Sequence, residues 1–300
     1  MKTVLDSLAA AFPGLEILPG EPMCRHCSFR IGGPCVGLVL PHTAEELSGV
    51  LRALRSADEE PLLLGNGTNL LVTDGPLDRI VVGTERLTEI RRDGDNGLFA
   101  LAGVPLSRLA ARAAEFGLTG LEFAHGIPGT VGGAVVMNAG AYGGEMKDVA
   151  DTTAYLDAQG GIDSLSGAAH DFGYRHSAFS DGEKTVLGCR VQLEAGDPAE
   201  IRAKMAELAQ RRRASQPLDK PSAGSTFKRP KTGYAAALID QAGLKGFRIG
   251  DAAVSGKHAG FVVNLGQARF DDVLAVMEHV RSEVLRQFGT ELEPEIRIIR

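Results

Sequence analysis

Three separate polar stretches contain an arginine, a serine and a glutamate that could take part in chemistry. The packing of a hydrophobic core does not require polar residues of this kind. The stretch DFGYRHSAF at 171–179 places Arg175 next to His176. An arginine can hold a carboxylate in bidentate fashion, so Arg175 is a candidate anion-binding residue. His176 is a candidate general base, although a single histidine with no carboxylate partner in view is more often a surface or hydrogen-bonded residue.

The second stretch, KPSAGSTFKRP at 220–230, contains Ser225 directly after a glycine. A serine-hydrolase nucleophile elbow reads GxSxG, whereas the sequence here is AGSTF, so hydrolase chemistry is not indicated. Lys228, Arg229 and Lys231 form a local cationic patch.

The third stretch is LEPEIRII at 292–299. Its glutamate and arginine, Glu295 and Arg297, occupy alternate positions, which lie on the same face of a strand. Each of the three stretches, taken by itself, also has a purely structural explanation.

Two glycine-rich turns follow apolar runs and suit phosphate oxygens. In LLLGNGTNLLV at 62–72 a predicted strand runs into Gly65, Asn66, Gly67, Thr68 and Asn69. Such a turn offers successive backbone N–H groups together with a hydroxyl and an amide. Asn-Gly is also a common hairpin turn, so this alternative stays open.

The second glycine-rich stretch is GIPGTVGGAVVMNAGAYG at 126–143. Its first four glycines, at 126, 129, 132 and 133, do not match the dinucleotide pattern GxGxxG. The stretch also lacks the GK[ST] ending of a phosphate-binding P-loop, and Pro128 removes a backbone donor. Two glycine turns nevertheless suggest a clamp on an extended anionic ligand, with the Asn138 amide able to read a polar ring edge.

Composition narrows the class of protein. The chain has 300 residues, a net charge of -6 and a pI near 5.7, which argues against nucleic acid as the main partner. Glycine is enriched, with 38 residues, and implies many tight turns. No apolar run approaches the length of a membrane span, and Asp6 would interrupt the apolar region of a signal peptide. We therefore expect a cytoplasmic protein.

The four cysteines do not form a recognisable metal site. Cys24 and Cys27 make a CxxC pair around His26, but a structural zinc site needs about four ligands, and the chain offers no second pair. We therefore predict reduced thiols and no metal.

Periodicity places these stretches on a mixed fold. Thr43 and Glu46 form a capping-box signature before an apolar stripe. Helical stripes are predicted at 43–54, 106–116, 199–213, 232–242 and 271–288. Strands are predicted at 61–64, 79–82, 98–104, 134–137, 184–193, 260–264 and 295–299.

This arrangement indicates an α+β protein with a boundary near EAGDP at 194–198. The triple arginine at 211–213 either binds an anion or complements the dipole at the end of its helix.

Taken together, seven segments resemble, in order, the signature segments of the UDP-N-acetylenolpyruvoylglucosamine reductase family. They are FRIGGP (29–34), GNGTNLLV (65–72), GIPGTVGGAVVMNAGAYG (126–143), FGYRHS (172–177), PSAGSTFKRP (221–230), GLKGFRIGDAAVSGKHAGFVVN (243–264) and LEPEIRII (292–299). The resemblance covers the chain from about residue 26 to the end. The interval 176–224 resembles the shorter form of the family, which lacks an inserted segment over the substrate.

The resemblance implies a fold similar to that of the vanillyl-alcohol-oxidase flavoproteins. In that fold two α+β subdomains hold FAD, whose pyrophosphate lies among loops, and a C-terminal domain binds the substrate. We therefore expect an FAD-binding domain at 24–194, with subdomains of about 24–85 and 86–194. A substrate-binding α+β domain is expected at 195–300, with its last strand returning to the active site.

The resemblance also implies a reaction in which FAD relays hydride from NADPH to the enolpyruvyl group of UDP-N-acetylglucosamine enolpyruvate, giving UDP-N-acetylmuramate for peptidoglycan. Arg175 matches the family arginine that stabilises the developing negative charge. Ser225 matches the serine that protonates the adjacent carbon, and Glu295 matches the glutamate that helps to hold the enol form.

Further site residues are expected from the same resemblance. Expected FAD contacts are Gly65, Asn66, Gly67, Thr68, Asn69, Gly126, Ile127, Pro128, Gly129, Thr130, Gly132, Gly133, Asn138, Ala139 and Gly140. Expected substrate contacts are Tyr174, Lys228, Arg229 and Arg297. A monomer is expected, with no nucleic-acid partner and no membrane insertion.

Two positions depart from the family pattern. Thr68 replaces the more usual serine and keeps its hydroxyl, whereas Gly256 stands where a polar residue is expected, so His258 is left out of the catalytic set. Two other functions stay open on the residues alone. One is a different flavin oxidase or dehydrogenase of the same fold, which would leave the joint match of Arg175, Ser225 and Glu295 unexplained. The other is a nucleotide-binding module without turnover.

Overall fold

The computed structural model describes residues 2–300, with side chains from Val4 onward. Helices alternate with mostly antiparallel sheets, so the predicted α+β class is confirmed. Over the described residues the helices are α1 Lys2–Ala11, α2 Ala44–Ser56, α3 Leu106–Glu115, α4 Val131–Val136, α5 Pro198–Ser215, α6 Ala235–Gln241 and α7 Phe270–Phe288.

The strands of the described residues fall into six sheets. They are β1 Glu16–Pro19, β2 Cys35–Leu40, β3 Leu62–Leu64, β4 Leu70–Val72, β5 Leu77–Gly83, β6 Ile90–Arg92, β7 Gly97–Leu101, β8 Leu118–Thr119, β9 Gly140–Ala141, β10 Gly144–Glu145, β11 Ala150–Leu156, β12 Ile162–Ser166, β13 Thr185–Gln192, β14 Glu194–Ala195, β15 Arg248–Ile249, β16 Ala252–Val254, β17 Val262–Asn264 and β18 Arg297–Ile299.

The chain divides into two compact units. The first comprises Met1–Pro19, Val36–Asn66 and Arg79–Arg211, and the second comprises Gly20–Cys35, Gly67–Asp78 and Arg212–Arg300. The chain therefore leaves the first unit inside α5, whose Ile201 and Met205 lie in a core of that unit. The functional domains expected at 24–194 and 195–300 stay a prediction.

The first unit contains a sheet of order β1-β2-β5-β3 with α1 and α2 on its core. At the start of α2 the Thr43 hydroxyl accepts a hydrogen bond from the backbone N–H of Glu46 at 3.1 Å, as the capping signature predicts. The Glu46 carboxylate accepts from the N–H of His42 at 2.7 Å. Helix α1 was not predicted, although its Leu5 and Leu8 are buried.

The second core of the first unit is built on a sheet of order β12-β11-β13-β7-β6, in which all four pairings are antiparallel. Helices α3 and α4 cover this core, and α3 buries Leu106, Leu109, Ala110 and Ala113. The apolar spacing of α3 is therefore the cause of its orientation.

The strand predicted at 134–137 is wrong, because those residues belong to the end of α4 and the turn that follows it. Val131, Ala134 and Val135 are buried at helical spacing. The Thr130 hydroxyl accepts from the N–H of Gly133 at 3.4 Å and caps the helix. A short apolar run fits a buried strand and a buried helix equally well, so periodicity alone could not separate them.

The second unit packs α6 and α7 on the sheet β15-β16-β17. Helix α7 buries one apolar face, formed by Val273, Val276, Val280 and Val284. The last strand, β18, pairs in parallel with β4, so that Arg297 lies opposite Leu70. The end of the chain is thus fixed beside the strand that follows the first glycine turn.

The CxxC pair shows no feature of a reactive or metal-binding site. Buried Cys27 donates to the carbonyls of Met23 and Ile31 at 2.9 and 3.0 Å, and burial raises the pKa of its thiol to about 11. Among the described residues no cluster of three or more histidine, cysteine, aspartate or glutamate side chains could hold a metal. None of the helices described between residues 2 and 300 combines the length and the apolar character of a membrane span.

Candidate active site

The first glycine turn joins two strands that do not pair with each other. Strand β3 ends at Leu64 and pairs in parallel with β5, whereas β4 begins at Leu70 and pairs with β18. The hairpin alternative is therefore wrong. Gly67 has a φ of 58°, and a Cβ there would lie 2.1 Å from the carbonyl oxygen of His26, so this position requires glycine.

Gly65, at the start of the first glycine turn, lies close to the second glycine-rich stretch, and both belong to the first unit. A Cβ added at Gly65 would lie 2.6 Å from Oγ1 of Thr130, the residue that caps α4. On the other side of that helix, a Cβ at Gly132 would lie 2.9 Å from the Cβ of Ala102. The glycines thus let the first turn, α4 and the strand end at Ala102 approach one another closely.

The backbone donors of these stretches are available to a ligand. Among the described residues, the N–H groups from Gly65 to Asn69 donate no hydrogen bond to the protein, nor do those of Gly129 and Thr130. Consecutive N–H groups in a turn form an anion-binding concavity. The chain therefore has the donors and the close backbone approach that a pyrophosphate such as that of FAD requires.

The side chain of Asn138 is not available for a cofactor. It is 3% exposed, and its amide hydrogen-bonds within the protein to Glu145, Lys147 and Gly173. The expectation that its amide reads a polar ring edge is therefore corrected, because both amide donors and the amide oxygen are already used. Ala139 is buried, and Gly140 begins β9 with Glu145 close to it.

Arg175 lies in a tight turn of the first unit. Gly173 and His176 exchange two backbone hydrogen bonds of 3.0 and 3.3 Å, which leaves Tyr174 and Arg175 at the tip. Arg175 has a φ of 54°, a left-handed conformation that is costly for a residue with a Cβ. Its guanidinium lies 5.8 Å from the ring centre of Tyr174, which is itself exposed.

His176 does have a carboxylate partner. Its Nε2 lies 3.1 Å from Oδ2 of Asp171, and both side chains are exposed. An exposed hydrogen-bonded contact of this kind does not mark a buried general base, so the surface interpretation of His176 is the better one.

Ser225 belongs to the second unit, in an irregular segment before Phe227. The preceding Gly224 has a φ of 78°, which explains the glycine of the AGSTF stretch. Ser225 is partly buried, and within the described residues its hydroxyl makes no hydrogen bond to the protein. The hydroxyl is therefore available to a bound molecule.

The structure brings the segments of Ser225 and Glu295 together. The N–H of Glu295 donates to the carbonyl of Thr226 at 2.8 Å, and the N–H of Lys228 donates to the carbonyl of Glu293 at 2.9 Å. The two residues therefore occupy neighbouring positions on paired segments of the second unit, whereas Arg175 belongs to the first.

The predicted strand at 295–299 begins only at Arg297. Glu295 precedes it and is held by Asn69, whose Nδ2 donates to the Glu295 carbonyl at 3.2 Å. The expectation that Glu295 and Arg297 share a face of one strand is therefore corrected. The side chain of Glu295 is partly buried and that of Arg297 is exposed.

The remaining predicted substrate residues are surface residues with local contacts. Nζ of Lys228 pairs with Oε2 of Glu293 at 3.2 Å, and the guanidinium of Arg229 lies 4.1 Å from the ring centre of Tyr234. Both cations are exposed.

Sequence analysis missed Thr226, which organises this region of the second unit. Thr226 is 1% exposed, its N–H donates to the carbonyl of Gly260 at 2.8 Å, and its Oγ1 accepts from the N–H of Val262 at 3.0 Å. The carbonyl of Thr226 also accepts from the N–H of Glu295. One buried residue therefore connects its own segment with the segments of Gly260 and Glu295. A threonine beside a candidate serine carries no sequence signal for this role.

His258 has a structural contact in the same region. Its Nδ1 accepts from the N–H of Gly260 at 3.2 Å, and burial lowers the pKa of its imidazole. Its omission from the catalytic set is consistent with that contact.

Comparison with known proteins defines the class. Residues 36–166 match the family model for an FAD binding domain. Together with the glycine-lined donors described above, this match makes the protein an FAD-binding oxidoreductase. Residues 216–299 match the model described as UDP-N-acetylenolpyruvoylglucosamine reductase, C-terminal domain.

The curated relatives then identify the family. A UDP-N-acetylenolpyruvoylglucosamine reductase from Caldanaerobacter subterraneus is 47% identical over 99% of this chain and 98% of its own length. The protein of the same name from Pediococcus pentosaceus is 43% identical over 98% of each chain. The chain belongs to the UDP-N-acetylenolpyruvoylglucosamine reductase family, as the seven sequence segments indicate.

A solved structure supports the same assignment. The crystal structure of the UDP-N-acetylenolpyruvylglucosamine reductase from Thermus caldophilus matches with a TM-score of 0.80 and 36% identity. The match covers 95% of this chain and 99% of that one. The predicted FAD-binding fold, with a C-terminal α+β domain, is thereby confirmed.

Proposed function

We propose that the protein catalyses the NADPH-dependent, FAD-mediated reduction of UDP-N-acetylglucosamine enolpyruvate to UDP-N-acetylmuramate. The family membership and the FAD-binding domain support this reaction. It is a step of peptidoglycan precursor synthesis, and so of cell wall formation, cell shape and division. We further propose a cytoplasmic monomer.

The proposed cofactor contacts follow from the glycine-lined donors. The groups proposed to hold FAD include the backbone N–H groups from Gly65 to Asn69 and those of Gly129 and Thr130. Among the described residues, these N–H groups have no acceptor in the protein. When bound, FAD supplies the hydride-transfer chemistry. The protein contributes orientation and charge.

Arg175 is proposed to stabilise the negative charge that reduction of the carbon–carbon double bond places next to the substrate carboxylate. A guanidinium binds a carboxylate through two parallel hydrogen bonds and stays protonated throughout. A cation positioned where charge develops lowers the barrier by several kcal/mol. The residue stands at the tip of the turn that the backbone hydrogen bonds between Gly173 and His176 close.

Ser225 is proposed to donate its hydroxyl proton to the carbon adjacent to the carboxylate. A hydroxyl is a weak acid, so this role depends on a strongly basic carbon and a fixed geometry. The hydroxyl has no protein partner among the described residues, so it is available to donate this proton. Glu295 is proposed to hold the enol form of the substrate. The hydrogen bond that joins its N–H to the carbonyl next to Ser225 is the observation that carries the proposal.

Tyr174, Lys228, Arg229 and Arg297 are proposed as substrate contacts, because cations and an exposed aromatic ring suit a nucleotide diphosphate sugar. Lys228 also pairs with Glu293, and the guanidinium of Arg229 lies over the ring of Tyr234.

The test separates the two halves of the reaction by stopped-flow under anaerobic conditions. We expect purified protein to carry FAD and to oxidise NADPH only with the enolpyruvyl substrate present. Ser225→Ala should leave reduction of FAD by NADPH within about twofold and slow the substrate half-reaction by about 10²–10⁴. Ser222→Ala, in the same segment, is the matched control and should change neither rate.

Three results would contradict the proposal. Protein that binds no FAD would exclude a flavoenzyme. Protein that binds FAD but ignores this substrate would favour another flavin oxidoreductase. Equal slowing of both half-reactions in Ser225→Ala would remove this serine from its role.

A further inference from the structure

Asn138 terminates helix α4 in a left-handed conformation. Its φ is 40°, its N–H donates to the carbonyl of Val135 at 3.2 Å, and the next N–H, of Ala139, donates to the carbonyl of Ala134 at 2.8 Å. This pair of bonds is the Schellman pattern of a helix C-terminus. The backbone role alone is one that glycine fills best and asparagine tolerates.

The side chain of Asn138 makes a second, separate set of contacts. Nδ2 donates to Oε2 of Glu145 at 2.6 Å and to the carbonyl of Gly173 at 3.1 Å, while Oδ1 accepts from the N–H of Lys147 at 2.9 Å. Two acceptors face the nitrogen and one donor faces the oxygen, so only this orientation of the amide satisfies all three partners. Such a buried, fully bonded side chain is held in one position.

Gly173 is the residue at which this network reaches the predicted catalytic arginine. Its carbonyl also accepts from the N–H of His176, the bond that closes the turn around Arg175. Ser177 adds a parallel tether, since its hydroxyl donates to the carbonyl of Val136 at 2.9 Å. Hydrogen bonds from Asn138 and from Ser177 thus tie the turn and the residue that follows it to the end of α4, and Arg175 has its left-handed φ within this turn.

We propose that Asn138 is a positioning residue for the reaction, because its side-chain amide fixes the turn that presents Arg175. This inference rests on the proposed role of Arg175. The amide acts through the backbone of Gly173 and does not touch the substrate. It also links α4, which follows the proposed FAD-binding stretch, to the turn that carries the charge-stabilising residue.

The sharpest variant is Asn138→Gly, because glycine retains the left-handed helix end and removes only the side-chain hydrogen bonds. We expect the substrate half-reaction to slow by about tenfold to a hundredfold, the usual cost of a small misplacement of a catalytic group. Reduction of FAD by NADPH should stay within about twofold. In the steady state the slower substrate half-reaction should lower kcat, while KM for NADPH should be unaffected.

Asn138→Asp is the second variant, for use where the glycine variant folds poorly. It keeps the size of the side chain and the acceptor for Lys147 but has at most one donor, so Glu145 and the carbonyl of Gly173 cannot both be bonded. Ser48→Ala is the matched control, because it removes another buried side-chain bond to a carbonyl of the first unit, from Ser48 to Gly160 at 2.8 Å. A rate unchanged in Ser48→Ala excludes general destabilisation as the cause.

Two readouts keep this inference separate from the proposed function. Hydrogen exchange at the N–H of His176 reports the turn directly, and we expect it to accelerate in Asn138→Gly but not in Ser48→Ala. In an Arg175→Ala background, Asn138→Gly should slow the substrate half-reaction by less than about twofold further, because the side chain that it positions is gone.

The outcomes are distinguishable. Unchanged exchange at His176, or a full additional loss of rate in the Arg175→Ala background, would overturn the role of Asn138. An Arg175→Ala variant with normal rates would instead contradict the proposed role of Arg175, and the exchange measurement would still decide whether Asn138 holds the turn.

Discussion

Gly65→Ala is the substitution for which the structure gives the most definite consequence. The new Cβ would lie 2.6 Å from Oγ1 of Thr130, inside van der Waals contact, and Thr130 is 1% exposed. Gly65 does not have a left-handed backbone, so this contact is the source of the cost. Oγ1 cannot move freely, because it caps α4 through the N–H of Gly133.

The expected change in the free energy of unfolding follows from two effects, the overpacking caused by the added methyl group and the loss of the helix cap at Thr130. Overpacking of a tight contact costs about 1–3 kcal/mol. Thr130→Ala by itself removes the cap and should cost about 1 kcal/mol. In the double variant the clash is absent, because an alanine at 130 has no Oγ1. We therefore expect the double variant to resemble Thr130→Ala, with a coupling of about 1–3 kcal/mol.

The assay is equilibrium unfolding in urea for the four proteins of this cycle, with FAD content measured on the same preparations. Gly65→Ala should lower both the free energy of unfolding and the FAD retained per chain. Restored stability in the double variant would identify the contact with Thr130 as the cause. Strict additivity, within about 0.5 kcal/mol, would refute the reasoning.

Three further predictions concern single positions of the second unit and the buried thiols. Thr226→Val should lower the free energy of unfolding by about 1–3 kcal/mol in urea melts, because it leaves a buried backbone N–H without its acceptor. Gly224→Ala should lower the free energy of unfolding by about 1–2 kcal/mol because of its φ of 78° alone, since a Cβ there meets nothing within 4 Å. Gly14→Ala is the control, because a Cβ at Gly14 also meets nothing within 4 Å and Gly14 has no positive φ. Burial raises the pKa of the Cys27 and Cys189 thiols to about 11 and about 12, so both should stay unlabelled by a thiol reagent at pH 8 until the protein is unfolded, and rapid labelling of either in the native protein would contradict their burial.

Helices α5 and α7 were predictable because their apolar residues recur at helical spacing. The stripe at 271–288 becomes α7 Phe270–Phe288, and the stripe at 199–213 becomes α5 Pro198–Ser215. Helix α7 buries a face that extends from Phe270 to Val284, and α5 buries Ile201, Met205 and Leu208 at helical spacing. The prediction at 134–137 was wrong for the opposite reason, since an apolar run of four residues has no measurable period.

Strand β11 shows why part of the sheet could not be predicted. It lies between β12 and β13, yet its sequence is ADTTAYL and has no apolar run. Thr153 at its centre is fully buried, and its hydroxyl bonds to Nε2 of His170 at 2.9 Å. The sequence around a polar residue does not show that the residue is buried when its hydrogen-bond partner is distant along the chain.

The catalytic residues expected from the sequence stay a prediction, and the hydrogen bonds that connect their segments carried no sequence signal. The sequence motifs select Arg175, Ser225 and Glu295, whereas the residues that connect their segments, Asn138 and Thr226, act through hydrogen bonds to backbone atoms. Those bonds join positions 35 residues apart in one case and 69 in the other. A backbone carbonyl has the same chemistry in every residue, so no residue type at the far end reveals the contact.

Arg175 also carries a structural sign that is independent of its motif. A residue with a Cβ at a φ of 54° costs about 1–2 kcal/mol relative to glycine, which would close the same turn without strain. The surroundings hold it there through the paired bonds of Gly173 and His176 and through the amide of Asn138. Strained residues persist where the surrounding structure holds them, and they cluster at active sites and ligand clamps. The same positive φ occurs at Arg30, Asp58, Asn138, Tyr142 and Asp171, so at Arg175 it is the proposed role of the side chain, and not the backbone alone, that gives the strain a functional meaning.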